Sequence, residues 1–177
     1  MIDINKTSKT LSYILRHKPE NFNVILDKNG YALVSNILDV LELTLPELKE
    51  IVNSDTKKRY SFSDDFFKIR ANQGHSIKVD LNLKKIVPPI ILYHGTNISA
   101  IQKIKKEGLK KMNRHHVHLT DNINTAKATG GRRGSPIILQ IDCKEMLKDK
   151  INFYLSENFV YLVDEVPTKY ILWNATL

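Results

Sequence analysis

The sequence lacks the features that mark several classes of protein. It has a single cysteine, Cys143, so no disulfide can form within the chain. No apolar run approaches the ~20 residues that a membrane-spanning helix needs, and no signal-peptide pattern is present. The absence of a GxxxxGK[ST] motif excludes a Walker-type phosphate loop. We therefore expect no membrane contact and a cytoplasmic location, with Cys143 as a buried structural thiol rather than a nucleophile.

Patterns typical of metal or nucleophilic catalysis are missing as well. Of the six histidines, His116 and His118 would share one face of a strand while His115 points away. No carboxylate or cysteine accompanies them at ligand spacing, so the sequence predicts no metal. No Ser/His/Asp or Cys/His set can be picked out either.

Positive charge is abundant, with 27 lysines and arginines against 19 acidic residues and a net charge of +8. Such a surface favours polyanions, because cations that neutralise phosphates release condensed counterions. The alternative is a lysine-rich surface without this role, and charge alone does not decide between the two. RNA or DNA is a predicted partner.

The prolines Pro88 and Pro89 predict a boundary, because two consecutive prolines hold an extended connector that cannot donate to a sheet. At 177 residues, the chain can form one domain or two small lobes. Before the boundary, apolar periodicity predicts three helices and a β-hairpin, an outline typical of a winged-helix-like module. The helices are predicted at residues 11–15, after Ser35 and after the capping-box residue Thr44, and the hairpin strands at 60–62 and 66–71.

After the boundary, strand and helix patterns alternate, which predicts a compact α+β lobe on a small sheet. Strands are predicted at residues 90–94, 116–119, 137–141, 159–162 and 170–173. Helices are predicted from an Asn97 cap to Gly108 and over residues 121–128.

Two short segments in this second half end strand-like stretches with a histidine, a small or apolar residue and a threonine. They are Tyr93-His94-Gly95-Thr96 and His116-Val117-His118-Leu119-Thr120. Neighbouring strands that end in this way can present imidazoles and backbone groups to one ligand, and a nucleotide suits such a cleft.

Several arginines are candidate ligands for a phosphate. Arg16 and His17 are predicted at the end of the first helix, where interaction with the helix dipole is the simpler interpretation. Arg70, taken alone, would be a solvated strand residue. Arg132 and Arg133 lie among three glycines, which let the backbone approach a ligand closely while the arginine fork binds phosphate oxygens. A mobile surface loop is the alternative there.

Six short motifs follow one another along nearly the whole chain. They are L-S-x-x-L-R-H-x-P at residues 11–19, R-A-x-Q-G-H-S at 70–76, L-Y-H-G-T at 92–96, H-V-H-L-T at 116–120, G-R-x-G-x-P at 131–136, and N-x-V-Y-L with V-P-x-x-Y at 158–170. Together they closely resemble the RNA 2′-phosphotransferases, also called tRNA 2′-phosphotransferases. Each motif alone is weak, but the combination is highly specific.

The resemblance implies an α+β fold of two lobes. Residues 1–88 would form a winged-helix-like RNA-binding lobe, and residues 89–177 an NAD-binding lobe of the ADP-ribosyltransferase type. The implied substrates are RNA with an internal 2′-phosphate and NAD as co-substrate, without a metal. The RNA phosphate would attack C1″ of NAD and expel nicotinamide. The ADP-ribose 2″-hydroxyl would then attack that phosphate, giving RNA 2′-hydroxyl and ADP-ribose 1″,2″-cyclic phosphate.

Carried over by position, the resemblance also implies the site residues. The catalytic set falls on Arg16, His17, Arg70 and Arg132. The NAD-binding set falls on His94, Gly95, Thr96, His118, Leu119 and Thr120. Three guanidinium groups would stabilise a pentavalent phosphorus, and His17 would bind the phosphate or move a proton. The family commonly has R-H-G where this chain has Arg132-Arg133-Gly134, so Arg133 is an alternative to Arg132.

Two other functions remain open from the residues. One is an ADP-ribosyltransferase that acts on protein or on a terminal nucleic-acid phosphate with the same NAD lobe. The other is a non-catalytic winged-helix module that binds RNA or DNA. The sequence does not identify the biological RNA, and a monomer is the default expectation.

Overall fold

The computed structural model describes residues 2–173, apart from the side chain of Arg133, and has the predicted α+β class. The chain divides into two compact units, Met1–Leu83 and Lys84–Leu177. This division precedes the predicted boundary after Pro88. The reason is a strand at Lys84–Ile86 that pairs within the second unit, with residues 153–155.

The first unit contains three α-helices and one antiparallel sheet. The helices are α1 (Ile4–Arg16), α2 (Val34–Leu41) and α3 (Leu45–Ser54), and a 3-10 turn at Pro19–Phe22 follows α1. The strands are β1 (Tyr31–Leu33), β2 (Tyr60–Phe62) and β3 (Lys68–Ala71), in the order β1-β3-β2. The three predicted helices and the predicted hairpin are confirmed.

Local sequence explains where these helices begin and which side they bury. In α1 the buried side chains are Leu11, Ile14 and Leu15, at the spacing that places them on one face. The capping box before α3 is confirmed: Thr44 N donates to the Glu47 carboxylate at 2.8 Å, and Glu47 N donates to Thr44 Oγ1 at 3.5 Å.

Strand β1 was not predicted, because three residues are too short to display an alternating pattern. A turn at Asp27 positions it, since one carboxylate oxygen accepts from the N–H groups of Asn29 and Tyr31, each at 3.0 Å. Pairing with β3 then places Tyr31 opposite Arg70. A tertiary contact therefore creates this strand.

The second unit is a set of small antiparallel sheets with three α-helices. Its strands are β4 (Lys84–Ile86), β5 (Ile91–Asn97), β6 (Leu109–Lys110), β7 (Val117–Leu119), β8 (Pro136–Asp142), β9 (Phe153–Leu155), β10 (Tyr161–Val163) and β11 (Glu165–Val166). Its helices are α4 (Ile98–Glu107), α5 (Ile123–Gly130) and α6 (Cys143–Lys148), with 3-10 helices at Gly131–Arg133 and Thr168–Tyr170. The sheet orders are β4-β9-β10-β7, β5-β8 and β11-β6.

Three predictions for this unit are corrected. The strand predicted at residues 170–173 is wrong: Thr168–Tyr170 is a 3-10 helix, and one bridge joins Ile171 to Ile141. Tyr170 and Ile171 are buried in the core and Trp173 packs against it, which explains the apolar pattern. Strand β10 begins only at Tyr161, because Phe159 closes a turn with φ +59°. Asn97 precedes α4 but caps no backbone N–H, since its side chain accepts from Ser99 Oγ.

Cys143 is buried, as predicted, although it begins α6 instead of ending β8. Burial raises the pKa of its thiol to about 12, so the thiolate is scarcely populated at neutral pH. This is the behaviour of a structural thiol. Across residues 2–173, none of the helices has the length and apolar character needed to cross a bilayer.

Helix α5 packs directly on the backbone of β5, and two glycines permit the approach. A Cβ added at Gly95 would lie 1.8 Å from the Ala126 carbonyl oxygen. One added at Gly130 would lie 2.4 Å from the Thr96 carbonyl oxygen. Both neighbours are backbone atoms, so neither can move aside by a change of rotamer. Any side chain here would force the helix away from the strand.

We expect Gly95→Ala and Gly130→Ala each to lower the free energy of unfolding of the second unit. The expected loss is about 1–3 kcal/mol or more, the range of overpacked substitutions. Urea unfolding followed by the fluorescence of Trp173, the single tryptophan, measures it.

The matched control is Gly131→Ala. The nearest atom to a Cβ there is Pro136 Cγ at 3.9 Å, and the backbone is right-handed helical. This variant should stay within about 1 kcal/mol of wild type. Equal stability of all three variants would contradict the proposed close contact.

Candidate functional site

The predicted site residues fall into two groups, one in each unit. Arg16, His17 and Arg70 belong to the first unit. Arg132 and the six residues of the two histidine motifs belong to the second unit.

In the first group, Arg16 and His17 lie where α1 ends. His17 N still donates to Tyr13 O at 3.0 Å, but the His17 backbone is no longer helical, and Pro19 prevents the helix from continuing. The carbonyl of Arg16 accepts a hydrogen bond from Ser76 N at 2.9 Å. His17 Nδ1 lies 2.9 Å from Ser76 Oγ. Ser76 therefore contacts both neighbouring residues of the predicted catalytic set.

Arg70 lies in the central strand of the first unit's sheet, between Tyr31 of β1 and Ser61 of β2. The expectation of a solvated side chain is wrong, because only 8% of Arg70 is exposed. Its guanidinium stacks over the Tyr31 ring, 4.7 Å from the ring centre. A cation held against an aromatic face in a buried position has little freedom to rotate.

Residues 72–76 connect Arg70 to the end of α1. Asn72 anchors the start of this segment: its N–H donates to Arg59 O and its Nδ2 to Lys58 O, each at 2.8 Å. His75 is 1% exposed and packs against the backbone at Gly30, the residue before Tyr31. This segment follows Arg70 and β3 in the chain and contacts Arg16 and His17 through Ser76.

His75 and Ser76 were not among the predicted site residues. Both were visible within the R-A-x-Q-G-H-S motif, directly after Arg70. What the sequence could not supply is the contact with His17, because the two positions are 59 residues apart.

In the second unit, the two histidine motifs lie side by side. Tyr93 and Thr120 form an antiparallel bridge, in which Tyr93 N donates to Thr120 O at 2.7 Å and Thr120 N donates to Tyr93 O at 3.0 Å. His94 Nδ1 lies 3.0 Å from the His118 carbonyl oxygen. A carbonyl oxygen only accepts, so Nδ1 carries the proton, and Nε2 of the neutral ring is an acceptor.

Burial lowers the pKa of His94 below its ordinary value of 6.5, and the charge of Arg114 acts in the same direction. The hydrogen bond to His118 opposes this shift but does not cancel it. His94 is therefore neutral at physiological pH, with a fixed tautomer and one available lone pair.

The other residues of the predicted NAD-binding set differ in what they can offer. Leu119 is 1% exposed within the core, so only its backbone could meet a ligand. The hydroxyl of Thr120 accepts from Asn122 N at 3.1 Å. The backbone of Gly95 and Thr96 is covered by α5, at Ala126 and Gly130.

Arg132 is exposed in the 3-10 helix Gly131–Arg133, which continues directly from α5. The side chain of Arg133 lies outside the described residues, so the choice of Arg132 stays a prediction. Within residues 2–173, no three His, Cys, Asp or Glu side chains gather in a group that could hold a metal ion.

Comparison with known proteins identifies the family. Residues 3–165 match the family model described as "RNA 2′-phosphotransferase, Tpt1 / KptA family". A Fusobacterium nucleatum protein named "Probable RNA 2′-phosphotransferase" is 52% identical over 172 residues, which cover 94% of this chain and 96% of the relative.

Two further relatives, from other bacteria, have the same name. The Burkholderia pseudomallei protein is 47% identical over 94% of this chain and 93% of its own length. The Trichormus variabilis protein is 44% identical over 94% of each chain. Because the family model matches nearly the full length of the chain, and the relatives align with it over nearly their own full length, the chain belongs to the RNA 2′-phosphotransferase, Tpt1 / KptA family.

Proposed function

We propose that this protein removes an internal 2′-phosphate from RNA by transferring it to NAD. Membership of the family and the names of the relatives support the RNA 2′-phosphate as substrate. The observation that carries the proposal is the contact of Ser76 with Arg16 and His17, at the end of the segment that follows Arg70, because arginine and histidine bind a phosphate group.

In the proposed reaction, NAD supplies an electrophilic carbon and a neighbouring hydroxyl. An oxygen of the RNA 2′-phosphate bonds to C1″ of the nicotinamide ribose as nicotinamide leaves. The 2″-hydroxyl then bonds to phosphorus as the RNA 2′-oxygen leaves. The products are RNA with a 2′-hydroxyl and ADP-ribose 1″,2″-cyclic phosphate.

The first unit would act on the phosphate. Negative charge grows on the phosphoryl oxygens in the second step, and guanidinium groups already held in place stabilise it without reorganisation. Arg70 meets this requirement best, because burial and the Tyr31 ring hold its side chain. Arginine also binds two phosphate oxygens at once through its planar fork. His17 would bind the phosphate or move a proton.

The second unit would bind NAD. A neutral His94 with its proton on Nδ1 offers Nε2 as an acceptor for a ribose hydroxyl or a carboxamide N–H. Gly95 and Thr96 would contribute by keeping β5 in close contact with α5, which holds His94 in place. Arg132, in the 3-10 helix that follows α5, would be the third arginine of the catalytic set.

Labelled NAD separates this function from protein or terminal-phosphate ADP-ribosylation. Release of ADP-ribose cyclic phosphate from a 2′-phosphorylated oligonucleotide is the expected result. A stable labelled adduct on protein or on an RNA end, without cyclic product, would support the alternative. Absence of any NAD-dependent reaction would support a binding module.

We expect Arg16→Ala, Arg70→Ala and Arg132→Ala each to slow phosphate transfer by ~100- to 1000-fold, or about 2.7–4 kcal/mol, because each removes a guanidinium that would stabilise the transition state. Single-turnover release of cyclic product measures the loss. Arg70→Lys keeps the charge but loses the fork, and should recover only part of the rate. Full activity of Arg132→Ala with loss in Arg133→Ala would move the fourth position to Arg133.

We expect the affinity for NAD to be constant from alkaline pH down to 6.5 and to fall only at lower pH. The pKa of His94 lies below 6.5, so the ring loses its lone pair to a proton only in that acidic range. Calorimetric titration with NAD measures the affinity. His94→Ala should weaken binding by ~10-fold or more at every pH, whereas His115→Ala is the matched control and should not. An affinity that drops above pH 6.5 would contradict the neutral-acceptor role.

We expect a chain that begins at Lys84 to bind NAD without transferring phosphate. It retains β4 and therefore the whole four-stranded sheet, but lacks Arg16, His17 and Arg70. A folded circular-dichroism spectrum is the precondition, followed by calorimetry with NAD and a transfer assay on the same sample. Measurable transfer by this fragment would show that the first-unit residues are not catalytic.

A further inference from the structure

The hydroxyl of Ser76 contacts two groups at the end of α1. His17 Nδ1 lies 2.9 Å from Ser76 Oγ, and the carbonyl oxygen of Arg16 lies 3.5 Å from the same atom. The backbone N–H of Ser76 makes a separate bond to that carbonyl at 2.9 Å. Ser76 itself is exposed, so its hydroxyl is not held there by burial.

The direction in which the Ser76 hydroxyl donates its proton determines which nitrogen of the neutral His17 ring is protonated. A hydroxyl has one proton to donate, and the Arg16 carbonyl can only accept. Both contacts are satisfied when Oγ donates to Arg16 O and accepts from His17 Nδ1–H. The neutral ring then has its proton on Nδ1 and its lone pair on Nε2.

The segment that carries Ser76 is anchored at both ends. Asn72 is bonded to the carbonyls of Lys58 and Arg59, and Ser76 N to that of Arg16. Between them, His75 is 1% exposed. An anchored partner holds an imidazole in one orientation before the substrate arrives, so that orientation costs nothing during the reaction.

We propose that Ser76 is a positioning residue, which fixes the orientation and the tautomer of His17 for phosphate transfer. The inference rests on the proposed function and decides between the two roles open for His17. Nε2 takes the proton of the ADP-ribose 2″-hydroxyl as the O2″–P bond forms. The same nitrogen returns the proton to the RNA 2′-oxygen as the P–O2′ bond breaks, so atoms and charge balance.

The test compares Ser76→Ala with Ser76→Thr in the full-length protein. Ser76→Ala removes only the hydroxyl, because the backbone bond to Arg16 remains. Ser76→Thr keeps a hydroxyl, and the exposed position has room for the added methyl group. The matched control is Ser54→Ala, which removes a serine hydroxyl bonded to Ile51 O in α3.

Three measurements are made on each protein. Nitrogen-15 NMR of the histidine rings, with His17 assigned by its absence in His17→Ala, reports which ring nitrogen carries the proton. Single-turnover transfer from a 2′-phosphorylated oligonucleotide to NAD reports the rate, and calorimetry gives the NAD affinity.

We expect the wild type, Ser76→Thr and Ser54→Ala to show a protonated Nδ1 on His17 and similar transfer rates. Ser76→Ala should show mixed tautomers and transfer that is ~10- to 100-fold slower, the scale of losing an orienting partner of a histidine. Its NAD affinity should not change.

A His17 spectrum in Ser76→Ala identical to that of the wild type would overturn the proposal. So would a transfer rate equal to that of Ser54→Ala. If the wild type itself transfers no phosphate, the proposed function fails, while the nitrogen spectra still decide whether Ser76 fixes the ring.

Discussion

The second unit depends on a contact between two backbones. Helix α5 approaches β5 so closely at Gly95 and Gly130 that no side chain fits between them. Helix α5 continues directly into the 3-10 helix that carries Arg132, so the position of the Arg132 backbone follows from the packing of α5 on β5. The same strand carries His94 and bridges Thr120. One steric constraint therefore positions the predicted NAD-binding residues together with the predicted fourth catalytic residue.

In the first unit, hydrogen bonds position the segment next to the predicted site residues, whereas in the second unit close backbone packing does so. Residues 72–76 follow β3 and are hydrogen-bonded to Lys58 and Arg59 at one end and to Arg16 at the other. Arg70 is held by an aromatic face, and His17 contacts a hydroxyl. In both units a histidine Nδ1 lies within hydrogen-bond distance of an oxygen, a contact that can set the tautomer of the ring. The carbonyl at His118 can only accept, whereas the hydroxyl of Ser76 can also donate.

Most helices and longer strands could be predicted, because their signals are local. The apolar stripe of α1 and the capping box of α3 lie within a few residues of the elements that they define. The failures concern short elements: β1 exists because it pairs with β3, and residues 170–173 are apolar because they face the core. The burial of Arg70 was missed for the same reason, since Tyr31 covers it only after β1 and β3 have paired.

The sequence by itself determined the α+β class and, through six motifs in one order, the family. Residue types and their local spacing carry that information, and both can be read without coordinates. Only the tertiary structure decided the ionisation and tautomer of His94, the burial of Arg70 and the contact between Ser76 and His17. These properties depend on desolvation and on hydrogen-bond partners 24 to 59 residues apart, which folding alone brings within reach of one another.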